Sequence, residues 1–177
     1  SNDPYGKTLT ETFPTFQAAR ARLLSVTNLE DSTGILVAGP RQRLAAFRFE
    51  RELSDASAEF RVTSLTFQVS KSSDVTLSNA VLRGRDAGDD HGCTVGQMTV
   101  TCSDIPAGHG IVGEAGRVLE LYADIAVTGA VPNPFLQVTI NDPGTVDTVG
   151  HISWTDGTTT FTWVQFEQPV VRGIRLR

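Results

Sequence analysis

Between Arg117 and Val127 the chain alternates: Leu119, Leu121, Ala123, Ile125 and Val127 share one parity, and Glu120, Tyr122 and Asp124 the other. A period of two sends successive side chains to opposite faces of an extended backbone, so this segment reads as a strand with one face in a core and the other in water. Nowhere is an i, i+3, i+4, i+7 apolar spacing sustained between caps, the pattern that an amphipathic helix requires. Thr15 to Leu24, with Phe16, Ala19 and Leu23, has some helical spacing but suits an extended arm equally well.

The same period recurs along the chain. Ala45, Phe47 and Phe49 alternate with Leu44, Ala46 and Arg48, which predicts a strand ending near Arg51, followed by a turn at Asp55-Ala56-Ser57. In the next strand Phe60 and Val62 share one parity while Leu65, Phe67 and Val69 share the other. The apolar face therefore switches between Thr63 and Ser64, as a β-bulge or a crossing between sheets would make it do. Val75 to Leu82 follows the turn Ser72-Ser73-Asp74, and the glycine- and aspartate-rich stretch Gly84 to Gly92 reads as a loop. Leu136, Val138 and Ile140 precede the strong turn Asn141-Asp142-Pro143-Gly144. Ile152 with Trp154 and Phe161 with Trp163 flank Asp156-Gly157 as a hairpin, and Val170 to Leu176 closes the chain. About eight to ten short strands with regular turns and no intervening helices describe an all-β, immunoglobulin-like antiparallel β-sandwich. Its expected core is Phe47, Phe49, Phe67, Leu119, Leu121, Ile125, Val138 and Trp154. Residues 31–177 form that domain. Residues 1–30 are an N-terminal arm or first strand, open to exchange with a neighbouring domain.

Composition narrows the function. A length of 177 residues with 40% hydrophobic content suffices for one buried core. No apolar run approaches the roughly 18 residues of a membrane helix. A net charge of -5 with dispersed basic residues disfavours a duplex nucleic-acid partner, because phosphate neutralisation needs clustered cations. The start Ser1-Asn2-Asp3-Pro4 lacks a basic, apolar leader and reads as an excised piece of a longer chain. Cys93 and Cys102 flank the turn-bearing Val95-Gly96-Gln97-Met98, so an antiparallel hairpin would bring the thiols to bridging distance. A disulfide there implies an oxidising compartment and hence an exported, extracellular protein; two unrelated reduced cysteines are the alternative.

Several phrases of this sequence together resemble a known group. Ala38-Gly39-Pro40 leads to Leu44-Ala45-Ala46-Phe47-Arg48-Phe49, then Val62 to Val69, Val75-Thr76-Leu77-Ser78-Asn79, Ile105-Pro106-Ala107-Gly108 and Leu119 to Ile125. This order resembles the β-sandwich modules of very large secreted surface proteins from uncultivated, small-genome candidate-phyla bacteria. Ile152 to Gly157, with Gln168 to Gly173 following, is similar to the closing segment of such parent chains. Cys93-Thr94-Val95 with Val100-Thr101-Cys102 is similar to the cysteine-flanked hairpin of bacterial extracellular conserved-repeat domains. The resemblance spans about residues 8 to 177. It implies a structural or adhesive role at a cell surface, of the surface-layer type, with no catalytic residues to carry over and with neighbouring domains as partners.

Other residue sets could carry chemistry. Asp86, Asp89 and Asp90 supply three carboxylates in five residues, the hard oxygen donors that calcium prefers, but without the spacing of an EF-hand; a solvated loop is the alternative. His91, Cys93, Cys102 and His109 have zinc-ligand chemistry, although a disulfide would use the same thiols. No nucleophile-base motif is present, so no enzyme is expected. Trp154, Trp163 and Tyr122 could form a platform for a surface glycan, which defines the alternative reading as a carbohydrate-binding module. Parity places both tryptophans in the core and leaves only Tyr122 outward. Lys7 and Lys71, the only lysines, are candidates for an intramolecular isopeptide bond, with solvated amines as the alternative. Lys7 to Phe16 alternates as a strand that either completes a neighbour's sheet or pairs within this domain.

Overall fold

The computed structural model describes residues 19–30, 33–129 and 132–177. Among these the strands are β1 (Ala21–Asn28), β2 (Thr33–Gly34), β3 (Gly39–Leu53), β4 (Arg61–Lys71), β5 (Val75–Gly84), β6 (Asp90–Gly92), β7 (Thr94–Val95) and β8 (Thr99–Cys102). After one helical turn, α1 (Ala107–Gly110), come β9 (Arg117–Val127), β10 (Leu136–Ile140), β11 (Ile152–Thr155), β12 (Thr160–Phe161) and β13 (Val171–Leu176). One sheet has the order β1-β3-β9-β5-β6. The other runs β12-β11-β4-β10-β13-β2, and β8 adds the β7–β8 pair to it through β4.

The alternating strands meet as the sequence requires. Leu119, Leu121, Ala123 and Ile125 of β9 lie beside β3 in the first sheet, with Leu119 opposite Phe47, and share one buried cluster with Phe47 and Phe49 and with Val62, Leu65, Phe67 and Val69 of β4; all eight expected core residues are buried. Phe47 and Phe67, from opposite sheets, stack with ring centroids 6.1 Å apart. The parity switch in β4 is a bulge: Ser153 pairs with Ser64 and Trp154 with Val62, which leaves Thr63 without a partner on β11. The extra residue returns the strand to the same face, so Phe60 and Val62 are buried in one core with Leu65, Phe67 and Val69.

Two further bulges flank one carboxylate. Pro40 and Arg41 are inserted between the Gly39–Ile125 and Gln42–Ala123 pairs. Asn79 and Ala80 are inserted between Ser78–Asp124 and Val81–Tyr122. Arg41 (φ 52°) and Asn79 (φ 49°) both take the left-handed conformation that such insertions use. Asp124 of β9 lies between them. It accepts the Arg41 N–H at 2.7 Å on one oxygen and the Asn79 amide at 2.7 Å on the other. The Asn79 bond and then the Arg41 bond hold its carboxyl below the ordinary range.

Three expectations need correction. The described strands number thirteen rather than eight to ten, because two- and three-residue pieces such as β2, β6, β7 and β12 are too short to show a period. The sandwich is not wholly antiparallel: β2 runs parallel to β13, with Thr33 opposite Arg175 and Gly34 opposite Leu176. The end of the expected loop, Asp90–Gly92, is a strand paired with Val81 to Arg83. Of the two readings of Thr15 to Leu24, the extended one holds where the segment is described: Ala21 to Leu24 belong to β1, which pairs with β3 from Ala21–Leu53 to Asn28–Phe47. Thr15 to Ala18, Lys7 and the Lys7 to Phe16 strand lie outside the described residues. The boundary expected at residue 30 falls between β1 and β2.

Candidate functional site

One lateral side of the sandwich is closed covalently. Cys93 follows β6 and donates its N–H to Ala80 of β5 at 2.8 Å, which ties it to the first sheet. Cys102 ends β8 opposite Leu65 of β4, in the second sheet. Their sulfurs are bonded, so the bridge spans the crossing from one sheet to the other, and both thiols are consumed. The zinc alternative loses its sulfur ligands for that reason. The two histidines of that array stay close, with ring centroids 6.2 Å apart. Each is held by its Nε2, His91 against the Ser103 carbonyl and His109 against the Asp89 carbonyl, both at 2.7 Å.

The three aspartates beside the bridge diverge. Asp90 pairs with Arg41, whose hydrogen bond, opposed by some burial, lowers its carboxyl. Asp86 and Asp89 are exposed, and Asp89 is engaged through its backbone carbonyl. Among the described residues no three His, Cys, Asp or Glu side chains converge on one point.

The outer face of the first sheet is not the water-facing surface that parity predicts. Glu120, at its centre, is 6% exposed. Arg85 reaches it at 3.1 Å, Arg43 at 3.4 Å and the Tyr122 hydroxyl at 3.0 Å, while Arg43 also pairs with Glu30 at 2.8 Å. Burial pushes the Glu120 carboxyl up, but the bonds from Arg85 and Tyr122 and the charges of Arg85 and Arg43 outweigh it, so the carboxyl lies below its ordinary value. Tyr122 is half-buried rather than exposed. Burial and then its bond to Glu120 raise its hydroxyl.

The aromatic set lies at one end of the sandwich. Trp154 is buried between Phe60, at 4.8 Å, and Phe161, at 4.2 Å, so both faces of its indole are covered. Its N–H donates to the Trp163 carbonyl at 3.0 Å. Trp163 is only half-buried, because β12 ends at Phe161 and the parity that would bury it stops there. Beside it runs a groove of about 350 Å³ between β1 and the β11–β12 hairpin, walled by Leu23, Leu24, Trp163, Val164 and Phe166. Sequence reasoning flagged the tryptophan and missed the rest of the wall, since Val164 to Phe166 follow no period.

Asp156 fixes this end. Its Oδ1 accepts the N–H groups of Thr158 and Thr159 and the Thr158 hydroxyl at 2.8–2.9 Å, an Asx turn that makes the hairpin. Its Oδ2 accepts the Arg20 N–H at 3.0 Å, which links the start of β1 to the other sheet. Burial opposes ionisation here, but these donors prevail and hold the carboxyl far below its usual range. The Arg20 side chain extends the anchor to Asp55, and the Ser57 N–H, Arg20 and the Ser57 hydroxyl lower the Asp55 carboxyl to about 2. Asp-Gly-Thr-Thr in the sequence carries the signal for the turn. Nothing local carries the signal for Arg20.

The lysine expectation meets a different arrangement, in which Lys71 donates to the Val75 carbonyl at 2.6 Å. No protein-family model, curated protein or solved structure matches the chain.

Proposed function

We propose that this chain is a non-catalytic structural or adhesive module of a bacterial cell-surface or surface-layer-type protein, built on an immunoglobulin-like frame. The observation that carries the reading is the pairing of β2 with β13. In a parallel pair the upstream end of one strand and the downstream end of the other lie at opposite ends, so tension between the two halves of a longer chain loads their hydrogen bonds in shear. Those bonds include Leu36 N–H to the Arg177 carbonyl at 2.8 Å and Arg177 N–H to the Gly34 carbonyl at 3.0 Å. Bonds loaded together resist more than bonds peeled singly. The disulfide supports an oxidising, extracellular setting. The sheet orders β1-β3-β9-β5 and β4-β10-β13 support the immunoglobulin-like frame, being the ABED and CFG orders of that architecture.

The carbohydrate-binding alternative has less support, because the covered faces of Trp154 leave no flat indole pair for a sugar ring. The proposal is tested on intact, unpermeabilised cells of the producing organism. An antibody against this domain should label them, and external protease should remove the label; labelling only after permeabilisation would contradict the surface assignment.

A further inference from the structure

The second sheet ends at β2, and β2 is an open edge. Arg177 donates its N–H to the Gly34 carbonyl and accepts the Leu36 N–H, so Ile35 lies opposite Arg177 and its own N–H and C=O point away from β13. Among the described residues nothing bonds them. Exposure alternates along this stretch, with Gly34 and Leu36 half-buried and Thr33, Ile35 and Val37 outward. Ile35 is 80% exposed and Val37 51%.

A sheet edge is a template for another strand unless a charge, a proline, a bulge or a covering segment blocks it. Two other edges of this sandwich carry charges: Arg22 of β1 is ion-paired with Glu52, and Asp90 of β6 with Arg41. Thr33 to Gly39 has no charged residue and no proline. Its outward side chains, Thr33, Ile35 and Val37, are all β-branched, the type that packs well against a neighbouring strand.

We propose that two copies of this chain join their β2 edges antiparallel, about a two-fold axis at Ile35, so that their second sheets become one. In that register Ile35 meets its own counterpart and Thr33 meets Val37. Each outward residue then has a β-branched partner, and the free N–H and C=O groups of all three are paired. This self-complementarity favours a second copy as the occupant, and so does charge: each chain carries a net charge of -5, and this edge opposes no like charges. The contact is small beside the roughly 1,000 Å² that a stable interface clears, so the dimer is weak in free solution. Copies held side by side at an effective concentration on the order of millimolar are joined by it. Only that last consequence rests on the surface setting proposed above.

The test is made on the purified full chain, so the pairing and the surface assignment can fail independently. Sedimentation velocity from micromolar to millimolar concentration should show the mass rising from one chain toward two. Over the same range hydrogen exchange at the Ile35 and Val37 amides should slow, while the Leu36 amide, already bonded to Arg177, changes less. Ile35→Lys should weaken association by on the order of tenfold, because it sets two ammonium groups against each other at the axis. The side chain it replaces is exposed, so Tm should not move. Val146→Lys adds the same charge at a loop residue that is 76% exposed, and should leave association unchanged. A monomer up to millimolar concentration, or equal association in the native chain and Ile35→Lys, would overturn the proposal. Slow exchange at Ile35 that does not depend on concentration would also overturn it, because the edge would then be covered from within the chain.

Discussion

Replacing Asp156 separates two functions that its two oxygens divide between them. Oδ1 makes the hairpin turn through Thr158 and Thr159, and Oδ2 alone holds the Arg20 N–H from the other sheet. Asp156→Ala removes both, and the residue is only 2% exposed, so water replaces the lost acceptor poorly. A backbone N–H that loses its partner in such a place costs about 1–3 kcal/mol, and with three N–H groups at the partly wet edge of the fold the sum is about 3–5 kcal/mol. Asp156→Asn keeps the Oδ1 acceptor and puts an amide donor against Arg20, so it should cost about 1–3 kcal/mol, all of it in the link between sheets. Urea denaturation at pH 7 checks this through the midpoint, provided the slope is unchanged. Acidification gives a second check. The folded carboxyl titrates below its unfolded value of about 3.9, so its contribution is complete above that pH and is lost as the pH falls. The gap between native protein and Asp156→Ala should therefore narrow below about pH 4. Equal losses in the Ala and Asn variants, or an Ala variant within about 0.5 kcal/mol of the native protein, would refute the division of roles.

Three other outcomes follow from the geometry. Cys93→Ser with Cys102→Ser should lower stability by about 2–3 kcal/mol through the short loop it reopens, read as a fall in Tm of about 2–4 °C per kcal/mol; an unchanged Tm would remove the bridge from the account. Gly173→Ala should cost about 1–3 kcal/mol, because its new Cβ would lie 2.5 Å from the Val138 carbonyl and 3.2 Å from the Phe47 ring, and a neutral result would mean that β10 can yield. Asp124→Ala should accelerate hydrogen exchange at Arg41 and in both flanking bulges before it affects the Asp156 turn beside the far end of β3, whereas uniform acceleration would contradict local pinning.

The sandwich was legible because β9 and β10 carry a clean period of two, and the parity switch between Thr63 and Ser64 in β4 called for a bulge or a crossing between sheets, of which the bulge is found. The cysteine bridge was legible because a hairpin constrains both thiols. What escaped depends on contacts between distant segments. Glu120 looked solvated because parity says which face a side chain takes, not what covers that face, and its cover comes from Arg43, Arg85 and Tyr122. The β2–β13 pair involves two residues of β2, too few for any pattern. The groove is a property of two sheet edges whose proximity no local sequence records.

The claim that this module carries tension is tested most directly by single-molecule pulling. The domain should unfold at clearly higher force when held at its N- and C-terminal ends than when held at Gln97 and Val146, two loop residues. Leu36→Pro, which deletes the N–H bonded to Arg177, should lower the force in the first geometry and leave the second unchanged. Equal forces in the two geometries, or no effect of Leu36→Pro on end-to-end pulling, would contradict the account.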